Sequence, residues 1–161
     1  MDCHSKTYIG IDPGANGFIC VRSSQGDINW VPLAQERNVV AILQECAKGD
    51  CIAVIEDVHA LPGQGVASSF KFGYNVGITV GMLKTLGIPY HQVSPQKWQK
   101  ALWERNDKVS VGTKTNPKKT SLNCAQRLFP SIDFRRTSRC NVADDNKVDA
   151  TLICEYARLN F

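Results

Sequence analysis

A continuous apolar run from Cys51 to Ile55 constrains the fold of this chain more than any other feature. It has the length of a β-strand, and a run without polar alternation is typical of a strand that is covered on both faces. Such a strand lies inside a sheet with helices on either side. The run ends directly at Glu56, and a carboxylate attached to a buried strand needs a partner.

Further strands and helices accompany this run. Residues 8–12 and 17–22 are short β-type segments separated by Pro13-Gly14, a turn signal, and together predict a hairpin. Hydrophobic spacing and the Ser94-Pro95 and Asn116-Pro117 helix starts predict the other elements. These are strands at 27–32, 51–55 and 88–93, and helices at 38–46, 68–86, 95–103, 118–129 and 144–159. The order indicates an α/β fold with a mixed five-stranded sheet flanked by helices, and the polar segment 105–115 is predicted to be disordered without a ligand.

The length of 161 residues, of which 43% are hydrophobic, predicts a single domain over residues 1–161. No apolar run approaches the roughly 20 residues of a membrane span. The first residues lack the apolar centre of a signal peptide. Seven cysteines at irregular positions form no C-x-x-C pair, which disfavours zinc and suits a reducing compartment. We therefore expect a cytoplasmic protein without a membrane partner.

Four acids are candidates for one metal-binding pocket: Asp12, Glu56, Asp145 and Asp149. Asp12 and Glu56 each end a strand, so both project from one sheet edge if those strands are neighbours. Asp145 and Asp149 are four residues apart on a helix and share one face. Carboxylates are the oxygen ligands that Mg²⁺ and Mn²⁺ prefer, and their mutual repulsion calls for a cation. Each acid alone also has a structural interpretation, as a turn, capping or surface residue. Together they predict a metal-dependent phosphodiesterase.

Basic residues are concentrated in one part of the chain. Residues 97–139 contain eleven Lys and Arg residues against three acids, so this segment has a net charge of +8, whereas the whole protein has a net charge of +4. Lys and Arg displace counterions from phosphates, so a basic segment beside an acidic pocket suits a protein that binds and cuts nucleic acid. On its own the segment is equally compatible with a solvated basic face.

Six segments in order resemble RuvC-like Holliday junction resolvases, especially those of phages and small bacterial versions. They are IGIDPGANGFI, VIEDVHALPGQG, FKFGYNVGITVG, VSPQKW, KKTSLNCAQRLFP and DDNKVDATLICEY, and they span nearly the whole chain. The resemblance implies a ribonuclease H-like fold, a homodimer and the activity of a crossover junction endodeoxyribonuclease, a phosphodiester hydrolase. It also implies branched DNA, in the form of a four-way junction, as the substrate, and action in a bacterial or phage-infected cell.

The resemblance further implies two Mg²⁺ ions per active site, with Mn²⁺ able to substitute. Asp12, Glu56 and Asp149 match the acids of the family motif one by one. Many members carry the fourth ligand three residues before the last aspartate, where this chain has Asn146. Asp145, four residues before it, can reach the same side of the helix, and we expect it to be the fourth ligand.

Lys118 or Lys119 resembles the active-site lysine of the family, although a general phosphate contact explains either lysine equally well. Family members place an aromatic residue after the Glu56 strand to stack on unpaired bases, which makes Phe70 and Tyr74 candidates, while Phe70 or Phe72 can instead belong to the core. The predicted substrate-binding set is His59, Phe70, Lys71, Tyr74, Lys97, Lys114, Lys118, Lys119, Arg135 and Arg136. His59 can equally be structural, and Trp98 is expected in the core.

Gly73, Gly77 and Gly81 are spaced by four on the predicted helix 68–86. Glycine weakens a helix, so three in register indicate close contact with another backbone. That backbone can be the sheet of the same chain or a second subunit, and this helix is our candidate for the dimer interface. Two alternatives to a junction resolvase remain: a broader nuclease of this fold acting on branched DNA or RNA, and a junction-binding protein without catalysis.

Overall fold

The computed structural model describes residues 6–57 and 65–161, except the side chain of Ser68. Its central sheet has the strand order β3-β2-β1-β4-β5. β1 pairs antiparallel with β2 and parallel with β4, β2 pairs antiparallel with β3, and β4 pairs parallel with β5. The predicted mixed five-stranded sheet is confirmed. The strands are β1 (Thr7–Ile11), β2 (Phe18–Arg22), β3 (Ile28–Pro32), β4 (Cys51–Glu56) and β5 (Tyr90–Val93).

Within the described residues, five helices cover the sheet. They are α1 (Glu36–Cys46), α2 (Val66–Thr85), α3 (Pro95–Leu102), α4 (Pro117–Leu128) and α5 (Asp145–Asn160). Residues of α1 and α2 pack with one side of β1 and β4, where Leu43 and Leu83 are fully buried. Residues of α3, α4 and α5 form the core on the other side, around Trp98 and Leu152. β4 is buried from Cys51 to Ile55 because helices cover both of its faces, as its apolar run predicted.

α5 packs across β1, β2 and β4. Gly10 allows this close contact, because a Cβ at that position would lie 2.2 Å from the backbone nitrogen of Cys154. The first turn of α5 is thereby held above the ends of β1 and β4.

The prediction of disorder for residues 105–115 is wrong. The segment forms a single 3₁₀ turn (Arg105–Asp107) and a small hairpin of β6 (Ser110–Val111) and β7 (Lys114–Thr115). Arg127 of α4 holds the turn, since its Nε and Nη2 lie 3.0 and 2.8 Å from the two carboxylate oxygens of the buried Asp107. The backbone N–H of Asn116 closes the hairpin by donating to the carbonyl of Val109 at 2.7 Å.

The interpretation that Gly73, Gly77 and Gly81 press against this chain's own sheet is also wrong. Apart from the nearby backbone of α2 itself, a Cβ added to any of them would meet no described atom within 4 Å. This face of α2 is therefore open as far as the described residues are concerned. None of the helices in residues 6–57 and 65–161 combines the length and apolarity that a membrane span requires.

Candidate active site

Three acids from three elements meet at one edge of the sheet. Asp12 follows β1 and Glu56 is the last residue of β4. These strands are parallel neighbours with Ile11 paired to Ile55, so both acids emerge side by side. Asp149 lies on α5 above them, and the charges of Asp12 and Glu56 each raise its pKa. The structure thus places Asp12, Glu56 and Asp149 at the same edge of the sheet.

Asp12 is 7% exposed. The backbone N–H of Gly14 donates to its Oδ1 at 2.9 Å, which fixes the carboxylate in the turn after β1. Asn75 of α2 supports this turn by donating to the Gly14 carbonyl at 3.2 Å. Burial raises the pKa of Asp12 to about 7, against the lowering effect of the Gly14 hydrogen bond and with further increases from the charges of Glu56 and Asp144. Near neutral pH a bound cation could therefore replace the proton on this carboxyl.

Asp149 has the more unusual environment. Its Oδ1 is shielded from solvent and accepts no hydrogen bond from any described residue. Burial, followed by the charge of Asp12, raises the pKa of Asp149 to about 8, although a hydrogen bond with Ser121 opposes the rise. A buried carboxylate oxygen without a partner is costly, so this atom requires a proton or a cation.

Glu56 is held by Trp98, whose Nε1 donates to Glu56 Oε1 at 2.9 Å. Burial raises the pKa of Glu56, and the hydrogen bond from Trp98 partly offsets this. Trp98 is fully buried, as predicted for a core residue. Its hydrogen bond to Glu56 was not predicted from the sequence. A buried indole N–H generally needs an acceptor, and this need could have indicated that Trp98 has a polar partner.

The two candidates for a fourth ligand, Asp145 and Asn146, are neighbours in the first turn of α5 but point in different directions. Asp145 is turned toward α4, where its Oδ2 lies 2.7 Å from Lys118 Nζ, and this hydrogen bond raises the pKa of Lys118. Asn146 is turned toward Asp12: a Cβ on Gly14 would lie 3.1 Å from Asp12 Oδ1 and 3.5 Å from Asn146 Oδ1. The amide nitrogen of Asn146 donates to Asp144 Oδ1 at 3.2 Å, which directs its oxygen away from Asp144.

The acids do not form a closed cage. Within residues 6–57 and 65–161, no three Asp, Glu, His or Cys side chains converge closely enough to hold a metal ion as they stand. Glu56 is instead hydrogen-bonded to Trp98, and Asp145 is paired with Lys118. The donor chemistry nevertheless fits a hard divalent cation, because three shielded carboxyls with raised pKa values share one sheet edge.

The predicted substrate-binding residues lie on several surfaces. Lys97 is exposed on α3, Lys114 on the hairpin, and Lys118 and Lys119 at the start of α4. On α2, Phe70 is 76% exposed and Tyr74 is 54% exposed, Lys71 is also exposed, and Phe72 is half-buried. Arg135 pairs with Asp133, and Arg136 pairs with Asp144. His59 lies outside the described residues.

A mixed five-stranded sheet with helices on both faces and acids at the ends of its two central parallel strands defines a ribonuclease H-like fold. No protein-family model and no curated protein matches the chain. Among solved structures, it is similar to RuvC of Thermus thermophilus in complex with a Holliday junction substrate, at 14% identity, with 96% of each chain covered and a TM-score of 0.54. A second RuvC structure from Thermus thermophilus is 17% identical, covers 95% of this chain and 96% of its own, and also has a TM-score of 0.54.

The protein therefore has a RuvC-like fold over nearly its whole length, as the sequence motifs implied.

Proposed function

We propose that this protein is a metal-dependent endonuclease that resolves four-way DNA junctions by paired, symmetric nicks. The observation that carries the proposal is the meeting of Asp12, Glu56 and Asp149 at one sheet edge, where burial raises the pKa of each. The similarity to a RuvC structure in complex with a Holliday junction supports branched DNA as the substrate. Such a protein would act in the cytoplasm of a bacterial or phage-infected cell.

Asp12, Glu56 and Asp149 are the proposed holders of two Mg²⁺ ions, for which Mn²⁺ can substitute. When bound, such cations stabilise the negative charge that develops on the phosphate oxygens during hydrolysis. The unpartnered Oδ1 of Asp149 supports this assignment, because it is a buried acceptor that the rest of the described chain leaves unsatisfied. The fourth position lies in the first turn of α5, at Asp145 as predicted or at Asn146, whose amide oxygen faces Asp12.

The chain's own groups orient this site. The Gly14 N–H binds Asp12 Oδ1 and the Trp98 N–H binds Glu56 Oε1, so each donor fixes one oxygen of a carboxylate and leaves the other available. The side chain of Lys118 is 75% exposed and is paired with Asp145 at the rim of the candidate active site. From this position its ammonium group can reach a phosphate that enters the site. Lys119 is exposed beside it and is the second candidate for that contact.

The DNA-binding surface proposed around this site consists of the exposed cations of α3, the hairpin and α4, together with Phe70, Lys71 and Tyr74 of α2. The cations would bind phosphates and position the junction. Phe70 and Tyr74 are exposed aromatic rings suited to stacking on unpaired bases, a contact worth about 1–3 kcal/mol per base.

A homodimer is proposed because two nicks on opposing strands require two active sites related by a two-fold axis. The open face of α2 is the candidate interface. Gly73, Gly77 and Gly81 leave it free for the approach of a second backbone. Analytical ultracentrifugation of Gly77→Leu, in which a bulky side chain replaces the central glycine, should show a weakened dimer.

Asp12→Asn and Asp149→Asn test the catalytic assignment. Each replacement keeps the side-chain shape but removes the charge, so cutting of a four-way junction should be lost while junction binding is retained. Asp50→Asn is the matched control, since Asp50 is exposed next to the opposite end of β4. Full cutting activity in Asp12→Asn or Asp149→Asn would refute the assignment. Cutting of linear DNA or RNA at comparable rates would favour the broader nuclease, and junction binding without cutting by the unmodified protein would favour the non-catalytic alternative.

A further inference from the structure

A basic groove lies beside the candidate active site, along the β3 side of the sheet. It encloses a volume of about 540 Å³. Phe18, Trp30, Gln35, Arg136, Thr137 and Lys147 are among its lining residues, and no acid is present in the described lining. Of these residues, only Arg136 is among the substrate contacts predicted from the sequence.

Lys147 is the principal cation of the groove. Its Nζ lies 4.3 Å from the centre of the Trp30 ring and donates to the carbonyls of Asp133 and Arg135 at 2.9 and 3.2 Å. No carboxylate of the described residues forms an ion pair with it. An ammonium has three N–H donors, so two carbonyl contacts leave capacity for an anion.

Arg136 connects the groove to the candidate active site. Its Nε lies 2.5 Å from Oδ2 of Asp144, the residue that caps α5, and its Nη2 donates to the carbonyl of Asn16 at 3.0 Å. Asn16 belongs to the turn that follows Asp12. The guanidinium also lies 4.9 Å from the centre of the Phe18 ring. Arg136 therefore contacts both the turn that follows Asp12 and the cap of the helix that carries Asp149.

The groove suits phosphate better than a base. Arg136 lies over the Phe18 ring and Lys147 lies over the Trp30 ring, so a cation already occupies a face of each aromatic residue. The remaining lining is uncharged and consists of the hydroxyl of Thr137, the amide of Gln35 and the apolar residues Pro32 and Ala34. Arg136 is already paired with Asp144, so Lys147, which forms no ion pair among the described residues, is the cation that can displace counterions from a nucleic-acid backbone, and neutral donors can bind phosphate oxygens.

We propose that this groove binds backbone phosphates in a duplex arm of the branched DNA, outside the site where the strand is cut. The proposal rests on the proposed function and extends it by assigning a second DNA contact to Lys147, Arg136 and Thr137. Because the groove does not hold the reacting phosphate, it should contribute to affinity and leave the chemical step unchanged.

Thr137→Glu is the principal test, because it places a carboxylate on the exposed rim without removing a buried contact. Ser24→Glu is the matched control, the same kind of change at an exposed position in the β2–β3 turn at the other end of the sheet. Lys147→Gln removes the charge itself. Affinity for a fluorescent four-way junction would be measured by anisotropy in EDTA over a salt series, and single-turnover cutting would be measured in Mg²⁺ with saturating protein.

A plot of the logarithm of the binding constant against the logarithm of the salt concentration has a negative slope. Thr137→Glu and Lys147→Gln should each make this slope less steep by about one for each chain in contact with the junction. At about 0.1 M salt this change corresponds to roughly tenfold weaker binding. The cutting rate at saturation should stay the same, and Ser24→Glu should bind as the unmodified protein does.

Equal affinities and salt slopes for Thr137→Glu and Ser24→Glu, in a protein that binds and cuts junctions, would overturn the groove assignment and leave the proposed function standing. If the unmodified protein bound no DNA, the proposed function would fail and the groove assignment with it.

Discussion

Removing the charge of Asp149 should stabilise the metal-free protein in a pH-dependent way. The pKa of this carboxyl is about 8 in the folded protein, against an ordinary value of 3.8, chiefly because it is buried. Between these two pH values the folded protein keeps the proton while the unfolded chain releases it. The free energy of unfolding therefore decreases as the pH rises toward 8, and the stability that the raised pKa contributes is present in full only below pH 3.8.

The size of the effect follows from the same values. For each pH unit over which only the unfolded chain is ionised, the free energy of unfolding falls by about 1.4 kcal/mol. Asp149 should therefore lower the free energy of unfolding by roughly 3–4 kcal/mol between about pH 5 and about pH 8. Coupling to Asp12, whose pKa is raised to about 7, distributes this cost over the pair. Asp149→Asn should be more stable than the unmodified protein at the higher pH, by a few kcal/mol, with a much smaller difference at the lower pH.

Urea unfolding in EDTA, followed by tryptophan fluorescence at the two pH values, measures this directly. Asp133→Asn is the control, because Arg135 holds the pKa of the exposed Asp133 at about 2. The contribution of Asp133 is therefore already complete at the lower pH and should not change between the two. An Asp149→Asn variant that is less stable at the higher pH, or whose stability difference is the same at both, would refute the reasoning.

Two further predictions concern the neighbours of the acids. Trp98→Phe keeps an aromatic ring in the core but removes the hydrogen bond to Glu56, a bond to a charged group worth about 1.5–3 kcal/mol. It should raise the pKa of Glu56 and move the pH profile of single-turnover cutting to higher pH, with junction affinity unchanged; an unaltered profile would exclude the orienting role. Asn146→Asp adds a carboxylate that faces Asp12 and should tighten Mn²⁺ binding in calorimetry while lowering stability in EDTA. Unchanged Mn²⁺ affinity would place position 146 outside the metal site.

The sheet was predictable because its signals are local. The apolar run of β4 and the Pro13-Gly14 turn each indicate a strand or a strand end without reference to the rest of the chain. The meeting of Asp12 and Glu56 followed from one further step, since the ends of parallel neighbouring strands share an edge. Helical spacing placed Asp149 on one face with Asp145, and the family resemblance matched it to an acid of the motif, but neither signal gives the position of α5 above this edge.

The fourth ligand position was not predictable in the same way. Neighbouring residues on a helix point about 100° apart, so the choice between Asp145 and Asn146 depends on how α5 is rotated against the sheet. That rotation is set by close packing at Gly10, a contact between residues far apart in the sequence. The order of residues 105–115 likewise depends on the distant pair Asp107–Arg127, which a polar local composition does not indicate.

The most direct test of the central claim uses a synthetic mobile four-way junction, end-labelled on each strand in turn. Purified protein and Asp12→Asn would be incubated with it in Mg²⁺, in Mn²⁺ and in EDTA. Our account predicts metal-dependent nicks at symmetric points on two opposing strands, with ends that a ligase can rejoin, and no nicks with Asp12→Asn. Nicks of equal yield in EDTA, or equal cutting by Asp12→Asn, would contradict it.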